Sequence, residues 1–367
     1  MENKHLNARV LAYYLPQYHP IPENDEWWGK GHTDWKNVGK SKPLFPGHYQ
    51  PHVPTDLGYY DLRVPETRQE QADLAEKYGI EGFVYWHYWF GNGKRILERP
   101  FNEVLNSGKP DFPFALAWAN ETWSSTMHGL CKGKKLFEQS YPGVEDYHAH
   151  FMSILPAFKD HRYILCEDKP IFMIYLPESV PDMKFFIDYW QELALQNGLK
   201  GIYFIAFSIS RYEEKETAEF YSHMMSLGFD AVVFENIQPP RTTIPFIKRC
   251  IFKLNRILLG WPLLFYYNDN YFSPDLCWQN ENAFPTVVPN WDHTPRSGKR
   301  GSVMLDSSPS KFQKTLHSFV KRLINKSYDK RFLFIKSWNE WGEGNHLEPD
   351  MKYGHAWLDA IKNEVLN

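Results

Sequence analysis

Eight short runs of apolar, β-branched and aromatic residues recur along the chain. They are nearly continuous in hydrophobicity instead of alternating, the pattern of strands covered on both faces. The runs are RVLAYYLPQY near Val10, GFVYWHYWF from Gly82, FPFALAWAN from Phe112, PIFMIYLPES from Pro170, GIYFIAFSIS from Gly201, FDAVVFEN from Phe229, FPTVVPNWD from Phe284 and FLFIKSWNEW from Phe332. Stretches of helical period separate most of them: PETRQEQADLAEKYG from Pro65, DYHAHFMSILPAFKD from Asp146, DMKFFIDYWQELALQNG from Asp182, EEKETAEFYSHMMSLG from Glu213, SPSKFQKTLHSFVKRLIN from Ser308 and HAWLDAIKNEVL from His355. Pro65 suits a first helical turn, and Gly79, Gly198 and Gly228 stand where a helix stops before the next strand. No linker, low-complexity tract or short repeat interrupts the alternation. It predicts an α/β fold, one (β/α)8 TIM-type barrel domain over residues 1–367, with a doubly wound open sheet as the alternative.

Two insertions break the pattern, at about residues 20–64 after the first strand and 237–283 after the sixth. Both follow a strand's C-terminal end, the barrel face that carries binding and catalysis. The first is dense in Trp, Tyr, His, Pro and Gly, and so many rings argue against disorder. Within the second, KRCIFKLNRILLGWPLLFYY from Lys248 to Tyr267 is basic and then apolar. Pro262 and polar flanks cut it short of a membrane span, so a buried helix is expected, with a membrane-surface role as the competing reading.

In a barrel the strand ends converge on one rim. The candidate substrate contacts are Tyr14 and His19 from the first strand end, Trp86, His87 and Tyr88 from the second, and Trp118, Asn120 and Glu121 from the third. Glu235 comes from the sixth, Trp291 and Asp292 from the seventh, and Trp338, Asn339 and Trp341 from the eighth. The eighth also carries SWNEWGEG, residues 337–344, with two acids three positions apart. In an extended strand Glu340 and Glu343 point to opposite faces, so only a turn brings both to one pocket, and Gly342 and Gly344 allow one. Two carboxyl groups in one pocket can take different protonation states, one ionised and one neutral. Cleavage of a glycosidic bond requires that division. The plainer alternative is a solvated loop that caps the barrel.

Composition agrees with a sugar-binding role. Phe, Trp and Tyr make up 17% of the residues, and their flat faces suit the C–H patches of sugars. With 41 Lys+Arg against 44 Asp+Glu and no dense basic stripe, nucleic acid is not expected as a partner. Cys131, Cys166, Cys250 and Cys277 are widely spaced, without zinc-ligand spacing, and no phosphate-loop motif is present, so neither metal nor cofactor is expected. His148 and His150 read as surface histidines, and Arg296, Lys299 and Arg300 as a solvated loop, with contact to an anionic substrate group near the seventh strand as the alternative. The N-terminus lacks the pattern of a signal peptide and no stretch is long enough to span a membrane, so a cytoplasmic location is expected.

YYLPQYHPIPENDEWWGKGHTDWKNV, KPLFPGHYQPHVPTDLGYYDLR, GFVYWHYWFGNGKRILERP, FALAWANETW, PNWDHTPRSGKRG and SWNEWGEGNHLEPD together resemble the WbsX-type family of bacterial polysaccharide gene clusters. That family is itself similar to the glycoside hydrolase family 99 barrels, endo-α-mannosidases and endo-α-mannanases. The resemblance implies a (β/α)8 fold, chemistry without a metal, and an oligosaccharide or polysaccharide substrate with α-linked, mannose-like sugars. By motif position, Glu343 would be the general acid/base on the glycosidic oxygen. Glu340 would be the base that takes the proton of the sugar 2-hydroxyl, so that a 1,2-anhydro sugar forms before water opens it with net retention. WbsX-type proteins have also been labelled glycosyltransferases. A transferase of O-antigen or capsular polysaccharide, using a nucleotide-sugar or lipid-linked donor, is therefore the alternative, and a non-catalytic glycan-binding barrel the second.

Overall fold

The computed structural model describes residues 6–124, 135–238 and 245–366. Eight parallel strands form its centre: β1 (Arg9–Tyr14), β2 (Gly82–His87), β3 (Phe114–Trp118), β4 (Lys169–Ile174), β5 (Tyr203–Ile209), β6 (Ala231–Glu235), β7 (Ala283–Val287) and β8 (Phe332–Ile335). Each pairs in parallel with its chain neighbours, as in Leu11 with Gly82 and Leu116 with Phe172, and β1 closes the ring on β8 through Val10 and Leu333. The result is a closed barrel, because strands without a polar face can bury both faces only when helices cover the outside and side chains fill the inside.

All eight strands and all six predicted helices fall on the predicted segments. A further helix, Arg99–Ser107, lies between β2 and β3, and two short ones, Pro22–Trp28 and Asp34–Lys40, fold inside the first insertion. Arg99–Ser107 buries Pro100, Phe101 and Val104 alone, an apolar stripe too sparse to read as periodic.

The barrel interior is filled by rings. Tyr13 stacks on Trp86 and Phe334 at centroid distances of 5.3 and 5.7 Å, and Phe207 lies 5.7 Å from Trp86. This aromatic layer is the floor on which the rim stands. Strand alternation turns Tyr14, the neighbour of Tyr13, outward. Its hydroxyl donates to Gln71 Oε1 at 2.7 Å in the helix Pro65–Lys77, so Tyr14 belongs to the strand–helix layer and not to the rim where it was predicted.

Two other expectations are corrected. His150 is fully buried inside the helix Val144–Phe158, stacked on Trp89 at 4.7 Å and hydrogen-bonded to His87 at 2.8 Å, while His148 is exposed. The helix of the second insertion, Phe246–Leu258, has no buried residue, because its apolar side faces away from the protein.

Phe207→Ala would leave a cavity in the ring layer under the rim. It is expected to cost about 3–5 kcal/mol, read as a lowered midpoint in chemical denaturation.

Candidate active site

Beyond β8 the chain folds back on itself. Asn339–Glu340 pairs antiparallel with Asn345–His346, and Trp341–Glu343 forms a single 3-10 turn between them. Ser337 braces the hairpin: its hydroxyl donates to the Asn345 carbonyl and accepts from the Glu340 backbone N–H, both at 2.8 Å. The glycines have separate reasons. Gly344 takes a φ of +58°, the left-handed region open to glycine. Gly342 is needed for space, since a Cβ there would strike the Asp34 carboxylate. The turn carries Glu340 and Glu343 to one side, where both line the same cavity.

That cavity has a volume of about 290 Å³. Trp86, Tyr88, Trp123 and Tyr175 supply rings, and Gln17, Glu121, His293, Arg296 and Lys336 supply polar groups beside the two acids. Glu340 is buried and accepts a hydrogen bond from Trp86 Nε1 at 3.2 Å. Burial pushes its carboxyl up to about 8, and the neighbouring Glu343 carboxylate pushes the same way, by repulsion and by accepting a hydrogen bond from the protonated form. Lys336 opposes this from 3.7 Å.

The cations sit between acids. Lys336 Nζ lies 3.3 Å from Glu235 Oε1, on the floor side, as well as near Glu340. Burial would lower the Lys336 ammonium, but Glu235 and Glu340 outweigh it and hold it charged. Burial raises Glu235, against the pull of Lys336. On the other side Arg296 bonds Glu343 at 2.5 Å and the fully buried Asp34 at 2.7 Å. These two acids likewise outweigh burial and hold the guanidinium well above its ordinary value. Burial and the nearby Arg296 push His293 down to about 4, so it is neutral at pH 7. Burial pushes Glu121 up to about 7.

Of the candidates read from sequence, Trp86, Tyr88, Glu121, Glu340 and Glu343 line the cavity, and Glu235 reaches it through Lys336. The remainder hold the scaffold. Alternation along β2 points His87 outward with its register partner Trp118, whose indole donates to the Trp89 carbonyl at 2.9 Å. Asn120 clamps the Leu176 backbone, its Oδ1 accepting from the N–H and its Nδ2 donating to the carbonyl, each at 2.8 Å. Trp291 donates to Ser302 Oγ at 2.9 Å. Asp292 accepts from Gln50 at 2.6 Å and from Thr294, and bonds His48 at 2.7 Å. Burial would raise its carboxyl, yet these partners hold it below the usual value. Asn339 grips the Leu15 N–H and carbonyl, Trp338 packs 5.0 Å from Phe83, and Trp341 donates to Glu348 at 2.6 Å. His19 is buried apart from the cavity, beside residues 95–99, and burial pushes it down to about 4.

Several cavity residues were not among the candidates. Lys336 had a readable signal: a lone Lys ending the buried run FLFIK must meet a carboxylate. Arg296, read as solvated, is paired and nearly enclosed, and Asp34 and Tyr175 gave no local sign. Among the described residues, buried His52, His346 and Asp350 come close enough together to hold a metal ion. A His52–His346 hydrogen bond of 3.0 Å and backbone N–H donors from Lys352 and Tyr353 to Asp350 already engage those groups.

Residues 10–361 match the family described as Glycosyltransferase WbsX. The chain belongs to that family. It is 35% identical over 365 residues to the uncharacterized protein WxcX of Xanthomonas campestris pv. campestris, in strains B100 and ATCC 33913, covering 98% of this chain and 50% of each relative. The chain therefore spans about half the length of the curated relatives it matches. Among solved structures it is similar to a glycoside hydrolase-like protein (TM-score 0.61, 14% identity, 97% of this chain and 93% of that one). It is also similar to the GH99 endo-alpha-mannosidase from Bacteroides thetaiotaomicron (TM-score 0.56, 14% identity, 99% and 97%). At such identities this WbsX-family chain shares their barrel fold.

The raised Glu340 sets a pH dependence of stability. Its carboxyl binds a proton more tightly folded (about 8) than in its ordinary state (4.5), so its contribution to stability falls as pH rises through that interval. Glu340→Gln removes this loss. Its melting temperature relative to the parent protein is expected to climb with pH across the interval and level off above it.

Proposed function

We propose that this cavity cleaves an α-linked, mannose-like glycosidic bond in a bacterial surface or capsular glycan, with Glu340 and Glu343 as its reacting groups. The observation that carries the reading is the adjoining carboxyl pair lining one cavity, of which Glu340 is raised to about 8 by burial and by its neighbour Glu343. Retaining cleavage through a 1,2-anhydro sugar needs two such groups, one acid protonated toward the leaving oxygen and one ionised toward the 2-hydroxyl.

Burial favours the protonated form of Glu340. A glycan placing its 2-hydroxyl beside Glu340 favours transfer of that proton across the hydrogen bond to Glu343, and Lys336 at 3.7 Å stabilises the carboxylate left behind. Glu340 then takes the 2-hydroxyl proton while O2 attacks the anomeric carbon, and Glu343 protonates the departing oxygen. Arg296, bonded to Glu343, stabilises the carboxylate this creates. Water activated by Glu343 opens the anhydro ring, and Glu340 returns its proton to O2. The rings of Trp86, Tyr88, Trp123 and Tyr175 offer faces to the sugar.

The family description favours a second reading, transfer from an activated sugar. The charge of the cavity supports hydrolysis over a nucleoside diphosphate donor, since both lining Lys and Arg side chains are engaged by carboxylates and Glu121 adds a further acid.

An assay on a panel of α-linked oligosaccharides without nucleotide sugar separates the readings. Hydrolysis predicts sugar release that falls by about 10²–10⁴ in Glu343→Gln. Release only with an added donor would establish transfer, and affinity without turnover on any substrate would leave a binding barrel. Activity is also expected to decline as pH rises through about 8, where Glu340 loses its proton.

A further inference from the structure

The helix Phe246–Leu258 is built the wrong way round for a helix that packs on its own protein. At 3.6 residues per turn Phe246, Ile247, Ile251, Leu254, Ile257 and Leu258 form one continuous apolar side. That side is bare: Ile247 is 72% exposed and Leu258 69%. The helix is held from behind by Phe252, whose ring lies 6.3 Å from Tyr266, and by Lys248 over the same ring at 4.5 Å. Tyr266 belongs to the strand Leu263–Tyr266, which pairs in parallel with Ser302–Leu305 at the rim end of the barrel. Trp261, just past the helix, contacts Phe45 of the first insertion at 5.6 Å. The apolar side is thus displayed on a fixed platform at the same barrel end as the cavity.

We propose that this helix seats the protein on an anionic membrane surface. Arg249, Lys253 and Arg256 flank the apolar side, Lys248 lies behind it on Tyr266, and the sequence has no acidic residue between Glu235 and Asp269, in a chain whose formal net charge is -3. Among the described residues none of the four cations forms an ion pair. An apolar stripe bordered by cations on flexible stems is the form that lies in a bilayer interface, with the stripe among acyl chains and the cations at phosphate level. A second copy of the chain fits less well, because face-to-face pairing would bring six flanking cations together with no acid in either helix to meet them. No described helix is long and apolar enough to cross a membrane, so the contact is with the surface. If the function proposed above holds, this seating would bring the cavity to glycans anchored at a membrane; the seating itself does not rest on that reading.

The test is co-sedimentation of the whole protein with vesicles of phosphatidylglycerol and phosphatidylcholine, against vesicles of phosphatidylcholine alone. Binding is expected to the anionic vesicles, to weaken with added salt, and to fall about fivefold for each flanking cation changed to Gln. Leu254→Glu with Ile257→Glu, both at exposed positions, should reduce binding to background while leaving the melting temperature and any glycan turnover unchanged. Equal binding to both vesicle types, no binding to either, or binding that survives the double substitution would overturn the proposal. So would a concentration-dependent dimer in sedimentation velocity that the double substitution abolishes, which would assign the face to a second copy. Loss of glycan turnover in Glu343→Gln with vesicle binding intact would separate this inference from the catalytic one.

Discussion

Ion pairing at the barrel mouth is the constraint around which the rest is arranged. Asp34, Arg296, Glu343, Glu340, Lys336 and Glu235 form a largely buried chain of charges, with Arg296 and Glu343 partly exposed, in which each cation lies between two acids. Four carboxyl groups face two cations, so the cluster is short of positive charge. Burial raises both Glu340 and Glu235, and with acids outnumbering cations the repulsion between carboxylates pushes the same way. The same imbalance that would weaken a purely structural network supplies a proton where chemistry can use it.

The cluster also explains parts of the scaffold that look unrelated to it. Asp34 arrives on a helix of the first insertion, so that loop must fold against the β8 turn. Tyr18 accepts from the Trp341 N–H at 3.0 Å and donates to the Asn339 carbonyl at 2.6 Å, and Trp35 packs 4.5 Å from Tyr18. Behind them Glu348 accepts from Gln71, Tyr60 and Trp341, joining a barrel helix, the first insertion and the turn. Burial pushes Glu348 up to about 7 even with three donors around it. The many aromatic residues of the first insertion therefore serve largely as packing that fixes Asp34 and the turn, while Trp86, Tyr88, Trp123 and Tyr175 from other segments face the cavity.

The outward-facing helix of the second insertion is the counterpart to this enclosure. One insertion turns its rings inward and completes the site, and the other turns its apolar side outward at the same end of the barrel. A WbsX-family barrel so equipped combines a sheltered acid pair with a surface suited to an interface, two features that strand and helix periodicity alone would not separate.

The chain's own pattern determined the architecture, because eight doubly buried strands and their helices are encoded by local runs whose period is visible residue by residue. It also determined the acid pair, since two glutamates and two glycines after a buried strand leave few conformations other than a turn. Direction was decided elsewhere. Tyr14, His87 and Trp118 sit at strand ends as read, yet the alternation that turns them outward is anchored by pairing with other strands. Arg296 and Asp34 are 262 residues apart and meet only in the folded protein, and the basic apolar helix could be read as buried until its neighbours were in place. Short-range periodicity records which residues avoid water, but which face finds a partner, and which charge finds its opposite, depends on chain segments brought together by tertiary structure.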